Sequence, residues 1–251
     1  MPPEGPPKTQ NAEKEARMEA GPSARVDIEH GYEGFIPEEF RKDPVLYFES
    51  KGQNIKSGEI EWDESGKVRE DPTAVKELPV WRDLDGKEIQ TVGKRVNVEK
   101  GKVGESGDPF HEYKIMGLVR ELGLPAPKPI AKAEQKGTHL IVMEKVKGVG
   151  WYKKEALKLK EAGYSDEDIE DLKQQAEAGM NELKQRFEEA GIVRGWKLKD
   201  MIFDIDVENK RIRNIVPTDW ERTKINEEKM GEYKKKKRKE AAPTTEGVPH
   251  D

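Results

Sequence analysis

The stretch PFHEYKIMGLVRELGLPAPKPIA, residues 109–131, reads as one complete helix running into the start of a strand. Pro109 suits the first helical position, where its missing N–H would have no partner, and Gly123 suits the residue just past the last turn. Met116, Val119 and Leu122 recur every three residues and fall on one face, which needs burial. The prolines of LPAPKPIAKAE then hold the chain extended, because proline disfavours helical geometry in the residue before it. THLIVMEKV follows as a short, fully apolar strand ending in charge.

On the N-terminal side the pattern is extended. KELPVWRDL and KEIQTVGKRVNV flank Asp85-Gly86, a hairpin signal, and GEIEW at Gly58 reads as a further strand across a polar loop at residues 63–73. On the C-terminal side a helix spans Trp151 to Ala162 and breaks at Gly163. Ser165 caps a longer helix with Asp168 at the capping-box position. There Ile169, Leu172, Ala176, Met180, Leu183 and Phe187 define a buried stripe that stops at Gly191. MIFDID and IRNIVP form a small hairpin, followed by TDWER with its acidic pair. A small antiparallel sheet with one helix, then a minimal helical unit carrying a hairpin, predicts an α+β fold in two lobes, residues 46–147 and 148–225.

The ends differ from this middle. Residues 1–45 are rich in Pro, Gly, Glu and Lys and read as a disordered tail, and residues 226–251 as a basic, largely disordered one. The run KKKKRK from Lys234 to Lys239 would attract an anionic partner such as nucleic acid or an acidic membrane, or serve as a solvated helix end. Over the 251 residues, 39% are charged against 33% hydrophobic, with a net charge of -5, so the core is smaller than the length suggests. Without cysteine there is no disulfide framework, thiol nucleophile or iron–sulfur site, and four scattered histidines offer no zinc ligand pair. No apolar stretch suits a signal peptide or a transmembrane segment. The expectation is a cytoplasmic protein, with nuclear import open through the basic run.

In their order these segments resemble the protein-kinase-like fold, in the style of aminoglycoside phosphotransferases and small bacterial kinases. HEYKIMGLVRELGLPAPKPIA is similar to the family's helix with its acid and the "GLPVP" connection. THLIVMEKVKG resembles the last strand of the N-lobe and the hinge, and VPTDWE the "IDWE" element. The resemblance covers residues 58–223, about two-thirds of the chain. It implies that Lys94 pairs with nucleotide phosphates and is held by Glu112, and that Glu144 and Val146 form the nucleotide-binding hinge. It also implies that Asp219 holds Mg²⁺ with ATP or GTP, since phosphoryl transfer requires the phosphates' negative charge neutralised and a metal bridging them. Singly, each residue has a plainer reading: Lys94 as a solvated strand lysine, Glu112 as a first-turn acid, Asp219 as a turn former.

The sequence departs from the family at its catalytic loop. In VRGWKLKD the position of the catalytic Asp falls on Gly195, and Asp200 falls where the family has a metal-binding Asn. Arg194 and Lys197 either contact a phosphate or solvate the loop. No GxGxxG loop is present, since residues 63–73 hold one glycine and four acids, and no large substrate platform follows Asp219. The expectation is therefore a degenerate, nucleotide-binding or non-catalytic pseudokinase acting as a regulatory or interaction module on a protein partner. Two alternatives stand beside it. One is an active, divergent Mg-ATP phosphotransferase using Asp200 or Asp204 as base. The other is a nucleic-acid or anionic-surface adaptor working through the basic run.

Overall fold

The structure is a computed structural model and describes residues 24–55, 75–96, 107–150 and 159–241. The expected GEIEW strand and the 63–73 loop lie outside these residues, as does most of the helix at 151–162, of which residues 159–161 are helical. In chain order the first elements are β1 (Arg25–Ile28), α1 (Glu38–Lys42), α2 (Pro44–Lys51), β2 (Gln53–Asn54), β3 (Val75–Arg82) and β4 (Glu88–Val96). Helix α3 (His111–Glu121) leads to β5 (Pro129–Gln135), β6 (Thr138–Glu144) and β7 (Val149–Gly150). Then come α4 (Asp166–Glu189), β8 (Ile192–Val193), β9 (Met201–Asp206), β10 (Arg211–Pro217), β11 (Lys224–Ile225) and α5 (Glu227–Ala241).

The fold is α+β. Six strands form an antiparallel sheet in the order β1-β5-β6-β4-β3-β2, and β10-β9-β7 and β11-β8 form two smaller ones. β6 is central, and its unbroken apolar run follows from being covered on both faces. Leu140 and Val142 point to a cluster containing Phe40, Phe48 and Trp81, while Ile141 points to one containing Met116, Phe187 and Trp220.

The cover on the first face corrects the sequence reading. Residues 24–45 are not a disordered tail: β1 pairs with β5, and Tyr32, Phe35, Ile36 and Phe40 are buried beside Tyr47 and Phe48 of α2. These apolar residues are sparse among Glu, Lys and Pro, too few to form a core alone, but they find one ready on the sheet. The C-terminal tail is corrected as well: α5 runs to Ala241, docked through the buried Met230, and only residues 242–251 lie outside the description. Among the described residues, no helix is long and apolar enough to cross a membrane.

The long helix matches its sequence pattern. Ser165 accepts a hydrogen bond from the Asp168 N–H while the Asp168 carboxylate accepts from the Ser165 N–H, closing the capping box. Leu172, Ala176, Leu183 and Phe187 are its buried stripe. Helix α3 begins at His111, two residues after Pro109, with the Asp108 carboxylate accepting the Phe110 N–H at 2.9 Å.

Candidate functional site

Successive residues of a strand face opposite sides, so β4 delivers Gly93 to the aromatic layer and Lys94 to the face occupied by α3. A Cβ added to Gly93 would lie 2.9 Å from the Phe48 ring. Lys94 is no solvated strand lysine. It is 8% exposed, and its Nζ lies 2.6 Å from Glu112 Oε2 and 3.0 Å from Glu221 Oε1. Glu112, 6% exposed in the first turn of α3, accepts the Trp220 N–H on its other oxygen at 3.3 Å. Three separate segments thus meet at one ammonium. Burial works against the Lys94 charge, but Glu112 and then Glu221 more than offset it and raise the Lys94 pKa above the ordinary lysine value.

A second group of charges lies beside the first. Arg194, 9% exposed, turns inward, neither reaching out toward a ligand nor solvating its loop. Its guanidinium donates to the carbonyls of Gly195 and Thr218 and, at 3.5 Å, to that of Asp219, and it lies 4.4 Å from the centre of the Trp220 ring. Burial lowers its pKa to about 10, against the opposing charges of Asp219, Asp200 and Glu112. Asp219 sits at φ 59, a left-handed conformation that aspartate tolerates better than most residues. It is exposed, while its neighbour Trp220 is buried.

Asp200 ends the 3-10 turn Leu198–Asp200, and its carbonyl accepts the Thr218 N–H at 2.8 Å. Burial first, and then the charge of Asp219, raise the Asp200 pKa, with Lys199, Lys197 and Arg194 opposing. The two carboxylates therefore share one locality. Magnesium takes hard oxygen ligands and accepts one or two carboxylates when phosphate and water complete its shell, and Asp200 and Asp219 are the carboxylates of this locality. Among the described residues, no group of three or more His, Asp or Glu forms a ligand set. Gly195 stands in open space: a Cβ placed there meets nothing within 4 Å, so crowding does not explain the missing carboxylate.

The remaining sequence candidates fall elsewhere. The Glu144 carboxylate accepts the Tyr32 hydroxyl and lies 3.7 Å from Lys128, while its N–H donates to the Lys128 carbonyl at 2.8 Å. Val146 is half-buried just beyond β6. Asp204 pairs with Arg213 at 3.1 Å and Lys147 at 3.9 Å. Lys197, in the same loop as Arg194, is exposed. Lys235 to Lys239 are exposed on α5. Beside them a cavity of about 310 Å³ is lined by Leu122, Arg186, Tyr233, Lys236 and Lys237. Sequence reasoning missed Glu221 as a partner of Lys94; its signal was the acidic pair, with Glu221 two residues after Asp219.

In class, then, the molecule is an α+β protein whose sheet lysine and helix glutamate form a buried ion pair, joined by Glu221 as a second carboxylate on the lysine. No protein-family model and no curated protein matches the chain. Among solved structures it is similar to one described as "WaaP in complex with acyl carrier protein", at 13% identity and a TM-score of 0.42, covering 80% of this chain and 73% of that one. At that score the likeness carries no conclusion about the site.

Proposed function

We propose that the chain is a two-lobed protein-kinase-like domain with a degenerate site, a nucleotide-binding or non-catalytic module that regulates a protein partner. The observation that carries this reading is the 2.6 Å contact between Lys94 on β4 and Glu112 on α3, both buried, at the positions the family resemblance assigns. Two lone charges would not be buried together by chance of surface packing, because removing each from water is costly unless the other compensates. Asp200 and Asp219 would hold Mg²⁺, which would neutralise charge on bound phosphates. With Gly195 in the base position, no carboxylate of the loop stands where an acceptor hydroxyl would lose its proton. Loss of a positioned base lowers a rate by about 10²–10⁴.

Mg²⁺ with ATP or GTP is expected to raise the melting temperature, since a ligand of the folded state stabilises it by mass action. Asp219 is exposed, so Asp219→Asn should fold normally and lose most of that shift. No shift with either nucleotide at millimolar concentration would remove the nucleotide-binding reading. The active alternative uses Asp200 or Asp204 as base, Asp200 standing half-buried at the end of its 3-10 turn. Slow ATP consumption that disappears in both Asp200→Asn and Asp219→Asn would establish the enzyme over the pseudokinase.

A further inference from the structure

A single ammonium in this site faces two carboxylates. Lys94 lies 2.6 Å from Glu112 and 3.0 Å from Glu221, and the trio carries a net negative charge where a phosphate-binding lysine needs to present a positive one. The two acids are not equivalent. Glu112 has a side chain 7% exposed, sits in a helix, and is held from its other oxygen by the Trp220 N–H. Glu221 has a side chain 22% exposed and lies in the turn after β10, closed by the Thr223 N–H donating to the Trp220 carbonyl at 3.1 Å. Glu112 is thus anchored from two directions, and Glu221 is the one free to leave.

We propose that Glu221 is a resident anion of the cleft, occupying on Lys94 the place that a ligand phosphate has to take. The inference rests on the nucleotide-binding reading and adds to it a specificity device within the same site. A polyphosphate meets two obstacles as the chain is folded: the carboxylate already bonded to Lys94, and its like charge. Both act against the anionic part of a nucleotide and leave the nucleoside part untouched, which is discrimination by repulsion. Apparent affinity is then the intrinsic affinity reduced by the fraction of molecules in which Glu221 has swung aside. Any event that withdraws Glu221, such as a partner engaging the turn after β10, would open Lys94 to phosphate.

The test is calorimetric titration of the full chain with Mg·ATP, inorganic tripolyphosphate and adenosine. Glu221→Gln is expected to bind Mg·ATP and tripolyphosphate at least about tenfold more tightly than the wild type, with adenosine affinity unchanged. Glu221→Asp, which keeps the charge but shortens its reach, should fall between. It also serves as the second variant should Glu221→Gln fold poorly. Equal or weaker phosphate binding by both variants overturns the resident-anion role and leaves nucleotide binding standing. A parallel rise in adenosine affinity overturns it too, since the effect would then be general opening. Absence of binding by wild type and variants alike, to all three probes, removes the nucleotide reading and this inference with it.

Discussion

The two faces of strand β4 are one residue apart in sequence and opposite in physics. On one side Gly93 makes room for the Phe48 ring within a dry aromatic layer formed by residues 24–51. On the other side Lys94 enters a charged junction with Glu112 and Glu221. The first face is held by area and shape, the second by charge compensation in a place where water is scarce. A strand covered on both sides can therefore carry a structural face and a chemical face without either intruding on the other.

The aromatic face should be the more costly to damage. Phe48 is 0% exposed, so Phe48→Ala should destabilise by about 3–5 kcal/mol, read as a lowered urea midpoint. A loss under about 1 kcal/mol would mean that the N-terminal layer is not part of the core. Lys94→Met should come next, at about 3 kcal/mol, the low end for breaking a buried pair, because it strands two carboxylates of which Glu221 is partly hydrated. Its pH dependence carries a definite sign. The Lys94 pKa is raised on folding, so its stabilisation is complete below the unfolded lysine value of about 10.4 and declines as pH climbs towards the folded value. The gap in stability between wild type and Lys94→Met should accordingly narrow above about pH 10.4 and hold steady between pH 7 and 9. The smallest effect belongs to Gly93→Ala, whose new methyl meets the Phe48 ring at 2.9 Å and should cost about 1–2 kcal/mol by overpacking. Gly93→Ala should leave nucleotide binding unchanged, which would show that the two faces act independently.

Much of the second face is legible in the order of residues along the chain. A lysine in an apolar-patterned strand, an acid in the first turn of the next helix, and an aspartate after a hairpin follow one another in the sequence. Lys94 and Glu112 lie 2.6 Å apart. What the pattern hid was direction. For Arg194 the sequence allows a phosphate contact or a solvated loop position, yet the side chain turns under Trp220 to hold the carbonyls of Thr218 and Asp219. Glu221 has the sequence surroundings of one more surface acid. Periodicity assigns a residue to a face of its own element, but in irregular segments such as 194–200 and 218–223 no period exists to read.

The first face shows the other limit. Phe35, Ile36 and Phe40 stand out in the sequence, but their surroundings of Glu, Pro and Lys have the composition of a tail. Their burial depends on β1 pairing with β5, a contact between residues about a hundred positions apart. Local composition carries no information about such a partner.

By itself, then, the sequence determined the elements with strong periods: the helix over residues 111–121, the capped helix from Asp166, the paired strands around Asp85-Gly86, and the apolar β6. Each follows from propensity, capping and spacing along a short run of chain. The tertiary structure alone settled that residues 24–51 cover the aromatic face of the sheet and that Glu221 joins Glu112 on Lys94. Both depend on distant segments that find each other only because the buried surface of one is completed by the other, and no local pattern encodes that match.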